Sequence, residues 1–205
     1  MSALTASSDI EADFRSTVML LSPAQLKGQR GRLLFRPEAD FPLARQIRSI
    51  EGAPLSDVFS FVSGLYFRGK VAYANGFARC RAGLPASWVI CAGGGLCRLD
   101  ERVDIHRLRA WAGVSIHEDN PHFTAPLYRH ASELAAVHDE GTRFVLLGSI
   151  ASKKYVVPLL EVFADRLLYP ADFAGRGDMS RGSLMLRAVK EGRELAYEPV
   201  ASVTG

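Results

Sequence analysis

Arg143-Phe144-Val145-Leu146-Leu147-Gly148-Ser149-Ile150-Ala151-Ser152 is an apolar run closed by a turn of mostly small residues, and Val156, Leu159, Leu160 and Phe163 follow it at helical spacing. The pattern reads as strand, turn, helix. In such a unit the first helical N–H groups have no internal partner and face out of the carboxyl edge of a sheet, where they can hold an anion. Gly148, Ser149 and Ser152 are therefore candidate ligand-binding residues, although a plain helix cap by Ser149 or Ser152 uses the same residue types. Pro158 removes one helical hydrogen bond, so the regular helix is expected to begin nearer Tyr155 than Ser152.

A second strand, Trp88 to Ala92, runs into Gly93-Gly94-Gly95. Glycines let a ligand approach the backbone closely, which makes Gly93 and Gly94 candidates; a tight turn with positive φ explains them equally. The third glycine of a dinucleotide fingerprint is missing.

Working outward, Thr17 to Leu21, ended by Ser22-Pro23, and Arg32 to Phe35, ended by Arg36-Pro37, read as short strands. Helices are expected over Asp40 to Ile50, Ser63 to Cys80 and Asp104 to Trp111, and from Asn120-Pro121 through Val137, with proline at the first helical position. Leu167 to Tyr169 reads as a strand closed by Pro170. Ser183 to Val189 and Glu194 to Glu198 alternate around Lys190-Glu191-Gly192-Arg193, as a hairpin does. The expected fold class is α/β: one three-layer domain over residues 15–205, with a mostly parallel central sheet, the strands near 88–92 and 143–148 central, and a C-terminal antiparallel hairpin extending one side. Residues 1–14 are expected to fray.

A chain of 205 residues with 48% hydrophobic content can bury one good core. Its 25 basic and 22 acidic side chains leave a formal +3, too little for a nucleic-acid surface unless the positives cluster. Three cysteines fit neither a zinc set nor a disulfide framework, and reduced thiols in a cytoplasm are expected. No basic segment followed by an apolar stretch opens the chain, and no apolar run is long enough to span a bilayer. The expectation is a soluble cytoplasmic protein without a membrane partner.

Asp172-Phe173-Ala174-Gly175-Arg176-Gly177-Asp178-Met179-Ser180-Arg181-Gly182 cannot build core by composition. Arginine forks bind carboxylate or phosphate, so Arg176 and Arg181 are candidate anion ligands, with pairing to Asp172 and Asp178 as the structural alternative. Arg68 and Lys70, near the start of a helix where positive charge is unfavourable, are candidates too, against the alternative of a solvated basic face. Asp178 and Asp119 are the best candidates for acid–base work. His117 and His122 lack the tight spacing of a metal site, so no metal is expected. The sequence leaves the cofactor open, and there is no nucleophile elbow.

The stretches Leu65-Tyr66-Phe67-Arg68-Gly69-Lys70, Leu146 to Ser152 with Lys154-Tyr155-Val156, and Asp172 to Gly182 resemble those of a family of uncharacterised bacterial conserved hypothetical proteins, from about Leu65 onward. That resemblance implies no activity. In pattern alone, the two glycine-ended strands are similar to small uncharacterised α/β domains with suspected nucleotide-related roles. The leading expectation is a small α/β enzyme acting on a nucleotide, nucleoside or other phosphorylated metabolite. The alternative is a non-catalytic module binding nucleic acid or a protein through Arg68, Lys70, Arg79 and Arg81 beside Tyr66, Phe67 and Phe77.

Overall fold

The computed structural model describes residues 15–204; the start expected to fray lies outside the described residues. The strands are β1 Thr17–Leu21, β2 Ala53–Pro54, β3 Ser87–Cys91, β4 Gly95–Arg98, β5 Arg102–Val103, β6 Arg143–Leu147, β7 Leu167–Pro170 and β8 Tyr197–Pro199. The helices are α1 Gln29–Phe35, α2 Pro42–Gln46, α3 Leu55–Ser63, α4 Leu65–Phe77, α5 Ile105–Gly113, α6 Pro121–Ala136, α7 Lys153–Phe163, α8 Asp178–Glu191 and α9 Ala201–Thr204. The main sheet runs β4-β3-β1-β6-β7-β8, while β2 and β5 form a small separate ribbon. β3, β1, β6 and β7 are mutually parallel, and the outer strands β4 and β8 are antiparallel to their neighbours.

The fold is the expected α/β domain. Its centre is β1, whose Leu21 pairs with Leu147 of β6 on one side and Val89 of β3 on the other. All five residues of β1 are buried, as a strand covered on both faces requires. Alternation along β6 shows which helix covers which face. The Arg143 guanidinium donates to Thr17 Oγ1 (2.9 Å) and lies over the ring of Tyr197, whose hydroxyl meets that of Tyr73 on α4. The next residue, Phe144, stacks on Phe163 of α7 with ring centroids 4.0 Å apart. So α4 and its neighbour α8 cover one face, and α7 with α6 the other.

Three local expectations change. Arg32 to Phe35 lies in α1, because a three-residue apolar run has no period of its own and the buried residues are Gly31 and Leu34. Ser183 to Val189 is no hairpin arm: it belongs to α8, which ends at left-handed Gly192 (φ 61°). The buried stripe of α8 is Arg181, Gly182, Met185 and Ala188, a helical spacing that the polar arginine and bare glycine conceal. The antiparallel edge is supplied instead by β8 against β7. The third change concerns α7, which starts at Lys153 and runs through Pro158, earlier than the proline suggested.

α4 and α8 touch backbone to backbone. A Cβ on Gly69 would lie 2.8 Å from the Gly182 carbonyl oxygen, and one on Gly182 would lie 3.0 Å from Tyr66 Cα. Gly76, on the same helix, would meet nothing closer than a Val189 methyl at 3.7 Å. Alanine raises helix propensity by about 1 kcal/mol at either site, but only Gly69→Ala adds an overpacking cost of about 1–3 kcal/mol. Urea denaturation should therefore rank Gly76→Ala above Gly69→Ala by about that cost; equal stabilities would deny the close crossing.

Among the described residues no helix is long and apolar enough to cross a membrane. Cys80, Cys91 and Cys97 are free.

Candidate functional site

From β1 the chain moves to β3 on one side, and it reaches β6 on the other side only later. The carboxyl ends of β1 and β6 thus flank the point where strand order reverses, the usual place for a ligand crevice in an open α/β sheet. A cavity of about 500 Å³ opens there, lined by residues including Ser22, Tyr66, Ser149, Ser152, Tyr155 and Asp178.

Ser22 is the first residue past β1. Its N–H donates to the Leu147 carbonyl (3.2 Å), and its Oγ lies 3.3 Å from the same oxygen. Gly148 has no side chain for a local reason: a Cβ there would sit 2.9 Å from Ser22 Cβ and 3.0 Å from its Oγ. The helix stripe Tyr66, Phe67, Lys70, Tyr73 and Ala74 packs on the sheet, and it carries one lysine into the core. Lys70 is 1% exposed. Its Nζ is 2.6 Å from Ser22 Oγ and 3.0 Å from the Ser22 carbonyl oxygen, and it lies 3.9 Å from the centre of the Tyr66 ring.

No carboxylate forms a salt bridge with Lys70 among the described residues. Burial therefore dominates and lowers its pKa to about 7, with Asp178 opposing and Arg181 reinforcing the shift. Burial also raises the phenols of Tyr66 and Tyr155 to about 12, so both stay protonated and can donate. Tyr66 Oη is buried and makes no hydrogen bond of good geometry, while the Arg181 side chain beside it partly opposes the upward shift. At α7 the Ser152 side chain makes no cap hydrogen bond, which leaves the amides of Lys153 and Lys154 available, while the Tyr155 N–H donates to the Ser152 carbonyl at 3.3 Å.

The close α4–α8 crossing brings Asp178 and Arg181 to the same place. Arg181 is 8% exposed, donates from Nε to the Phe173 carbonyl (3.2 Å), and pairs with Asp178 at 3.5 Å. Of the residues singled out by sequence, Lys70, Gly148, Ser149, Ser152, Asp178 and Arg181 therefore gather around one crevice. The others lie elsewhere. Arg176 is exposed and bonds Ser180 Oγ at 3.2 Å. Arg68 is exposed on α4, and Asp119 is exposed beside His117 at 3.5 Å. Gly93 (φ 76°) and Gly94 form the tight β3–β4 turn, where a Cβ on Gly94 would lie 2.7 Å from the Trp111 ring, so their small size serves packing rather than ligand approach.

Arg79 is paired with Glu194 and Arg81 with Asp139, while Tyr66 and Phe67 are buried, so those two rings are not open for stacking by unpaired bases. Among the described residues no cluster of histidine, cysteine or carboxylate side chains could hold a metal ion.

Sequence reading missed Ser22, Tyr66 and Tyr155 as site residues. The signal was present for the first two: an apolar strand ending in serine, and a lysine set one helical turn from Tyr66 within an otherwise apolar stripe. Compared with family models, with curated proteins and with solved structures, the chain matches none of them.

Proposed function

We propose that the protein is a small α/β enzyme of the acyl hydrolase or acyl transferase type, with Ser22 as nucleophile and Lys70 as general base. One observation carries this reading: the Nζ of a fully buried lysine sits 2.6 Å from a serine hydroxyl in the switch-point crevice, without a carboxylate partner. A lysine whose pKa is lowered to about 7 is neutral in a large fraction of molecules near neutral pH. Its lone pair can then take a proton from a nucleophile.

In that state Ser22 Oγ–H donates to Nζ. Oγ attacks a carbonyl carbon, the C–O bond forms, and the proton passes to Lys70. The carbonyl electrons move onto oxygen, where Tyr66 Oη and the opening amides of α7 can donate to the new charge. Collapse expels the alcohol, thiol or amine, which leaves with the proton from Nζ. Water then attacks the acyl carbon and gives a proton to Lys70; on collapse that proton returns to Ser22 Oγ and the carboxylic acid departs. Asp178, paired with Arg181 at the rim, orients the polar part of the substrate. A cytoplasmic location is part of this proposal, and free cysteines suit it.

A second reading keeps the same crevice for a nucleotide or other phosphorylated metabolite. It is favoured by Lys154 on the rim and by the uncapped start of α7. Incubation with a fluorophosphonate should add one phosphonyl group to Ser22, detected by peptide mass spectrometry and absent in Ser22→Ala. If Ser22 stays unlabelled while nucleotides or sugar phosphates raise the melting temperature, the second reading replaces the first. A ligand at a hundred times its Kd adds about 2.7 kcal/mol.

A further inference from the structure

A second cavity of about 260 Å³ adjoins the crevice. The two share Pro23, Ala24, Gln25, Lys154 and Tyr155, so they are one continuous depression with two differently built ends. The far end is walled by Leu26, Phe59, Ala92, Trp111, Val114 and Ile116. Phe59, Trp111 and Leu26 are 1%, 6% and 7% exposed, so these walls are anchored in the core. Trp111 is fixed from behind by the glycine turn at Gly94 and flanked by the Arg107 guanidinium, 4.7 Å from its ring. Ala112 and the polar residues Gln25, Lys27, Ser115 and Lys154 complete the lining.

We infer that this pocket receives the acyl group of the substrate, and that the group is a short branched aliphatic or single-ring aromatic one. The inference rests on the Ser22–Lys70 reading. Pro23 and Ala24 lead directly from the nucleophile into the pocket, and two residues span at most about 7 Å. A group bonded to the carbon that Ser22 attacks can therefore reach the pocket. Apolar cavities of about 150 Å³ accept benzene, so this one has room for a ring with a short linker but not for a long lipid chain. The opposite end, with Ser149, Ser152 and Asp178, is polar and suits the leaving group.

The test uses the full chain and 4-nitrophenyl esters with a constant leaving group. From acetyl to butyryl, kcat/KM should rise about fourfold per methylene, reach its highest values with branched or benzoyl groups, and fall again by dodecanoyl. Ala112→Phe and Ile116→Trp, each checked for an unchanged melting transition, should cut the benzoyl-to-acetyl preference at least tenfold. A series with a constant acetyl group and growing alcohols should lack this trend. Should Ser22 be labelled by fluorophosphonate while kcat/KM is flat in acyl size, or steep only in alcohol size, the acyl pocket is wrong and the nucleophile stands. Failure of both labelling and ester turnover would remove the nucleophile and the acyl pocket together.

Discussion

Ser22→Ala should lower turnover of any ester substrate by about a million-fold, the loss seen when the nucleophile of a serine hydrolase is removed. The fold should survive. Ser22 N–H keeps its bond to Leu147, alanine keeps the Cβ that faces Gly148, and the Lys70 amine keeps the Ser22 carbonyl at 3.0 Å. The 2.6 Å contact to Lys70 and the longer 3.3 Å contact to the Leu147 carbonyl are lost, together worth about 2 kcal/mol at a buried site. Single-turnover measurements with excess enzyme should show no acyl intermediate in the variant, while circular dichroism and melting stay close to the parent. A residual rate within tenfold of the parent would exclude Ser22 as nucleophile.

The sheet was legible in the sequence because its central strands are buried on both faces, and such strands read as continuous apolar runs. Val18 to Leu21, Val89 to Cys91 and Phe144 to Leu147 are all buried, and Ser149 and Ser152 of the turn after Leu147 line the crevice. The same reasoning failed at α8, where close packing against α4 put Arg181 and Gly182 in the buried stripe and erased the helical period. It half-succeeded at α4: Lys70 was singled out as a ligand-binding cation at the rim, with a solvated basic face as the alternative, since periodicity cannot show that a lysine lies buried under a sheet edge.

Convergence was beyond sequence altogether. Ser22, Lys70 and Gly148 lie on three elements that meet only because β1 pairs with β6 and α4 crosses it, and no local spacing encodes that pairing. The glycine loops carried less ligand chemistry than their composition suggested. At Gly94 and Gly69 the missing side chain is explained by Trp111 and by the α8 backbone.

Lys70→Met separates a base from a structural tie, because the two roles predict opposite changes in stability. As a base, Lys70 must be neutral to act, so kcat/KM in the parent should rise with pH through about 7 and level off above. The variant should lose about 100- to 10,000-fold, together with that rising limb. In the unfolded chain the lysine titrates near 10.5, and in the folded protein near 7. Between those values the unfolded state binds the extra proton, so stability rises with pH across the window; below about 7 both states are protonated, and the full cost of the buried charge remains. The slope amounts to on the order of 1.5 kcal/mol between pH 7 and 8.5. The groups facing Nζ are Tyr66, Asp178 and Arg181; the raised phenols and the raised thiols of Cys80 and Cys91 are common to parent and variant, so the difference between the two proteins isolates Lys70. Methionine fills a similar volume without charge, and the variant should be the more stable protein at pH 6 to 7 while being the poorer catalyst, the trade expected where a group is held in a costly state for chemistry. Urea titrations of both proteins at pH 6.5 and 8.5 decide the matter. A variant that is less stable at pH 6.5, with a parent rate flat across pH 7, would make Lys70 a tie between α4 and the end of β1 and leave Ser22 without its base.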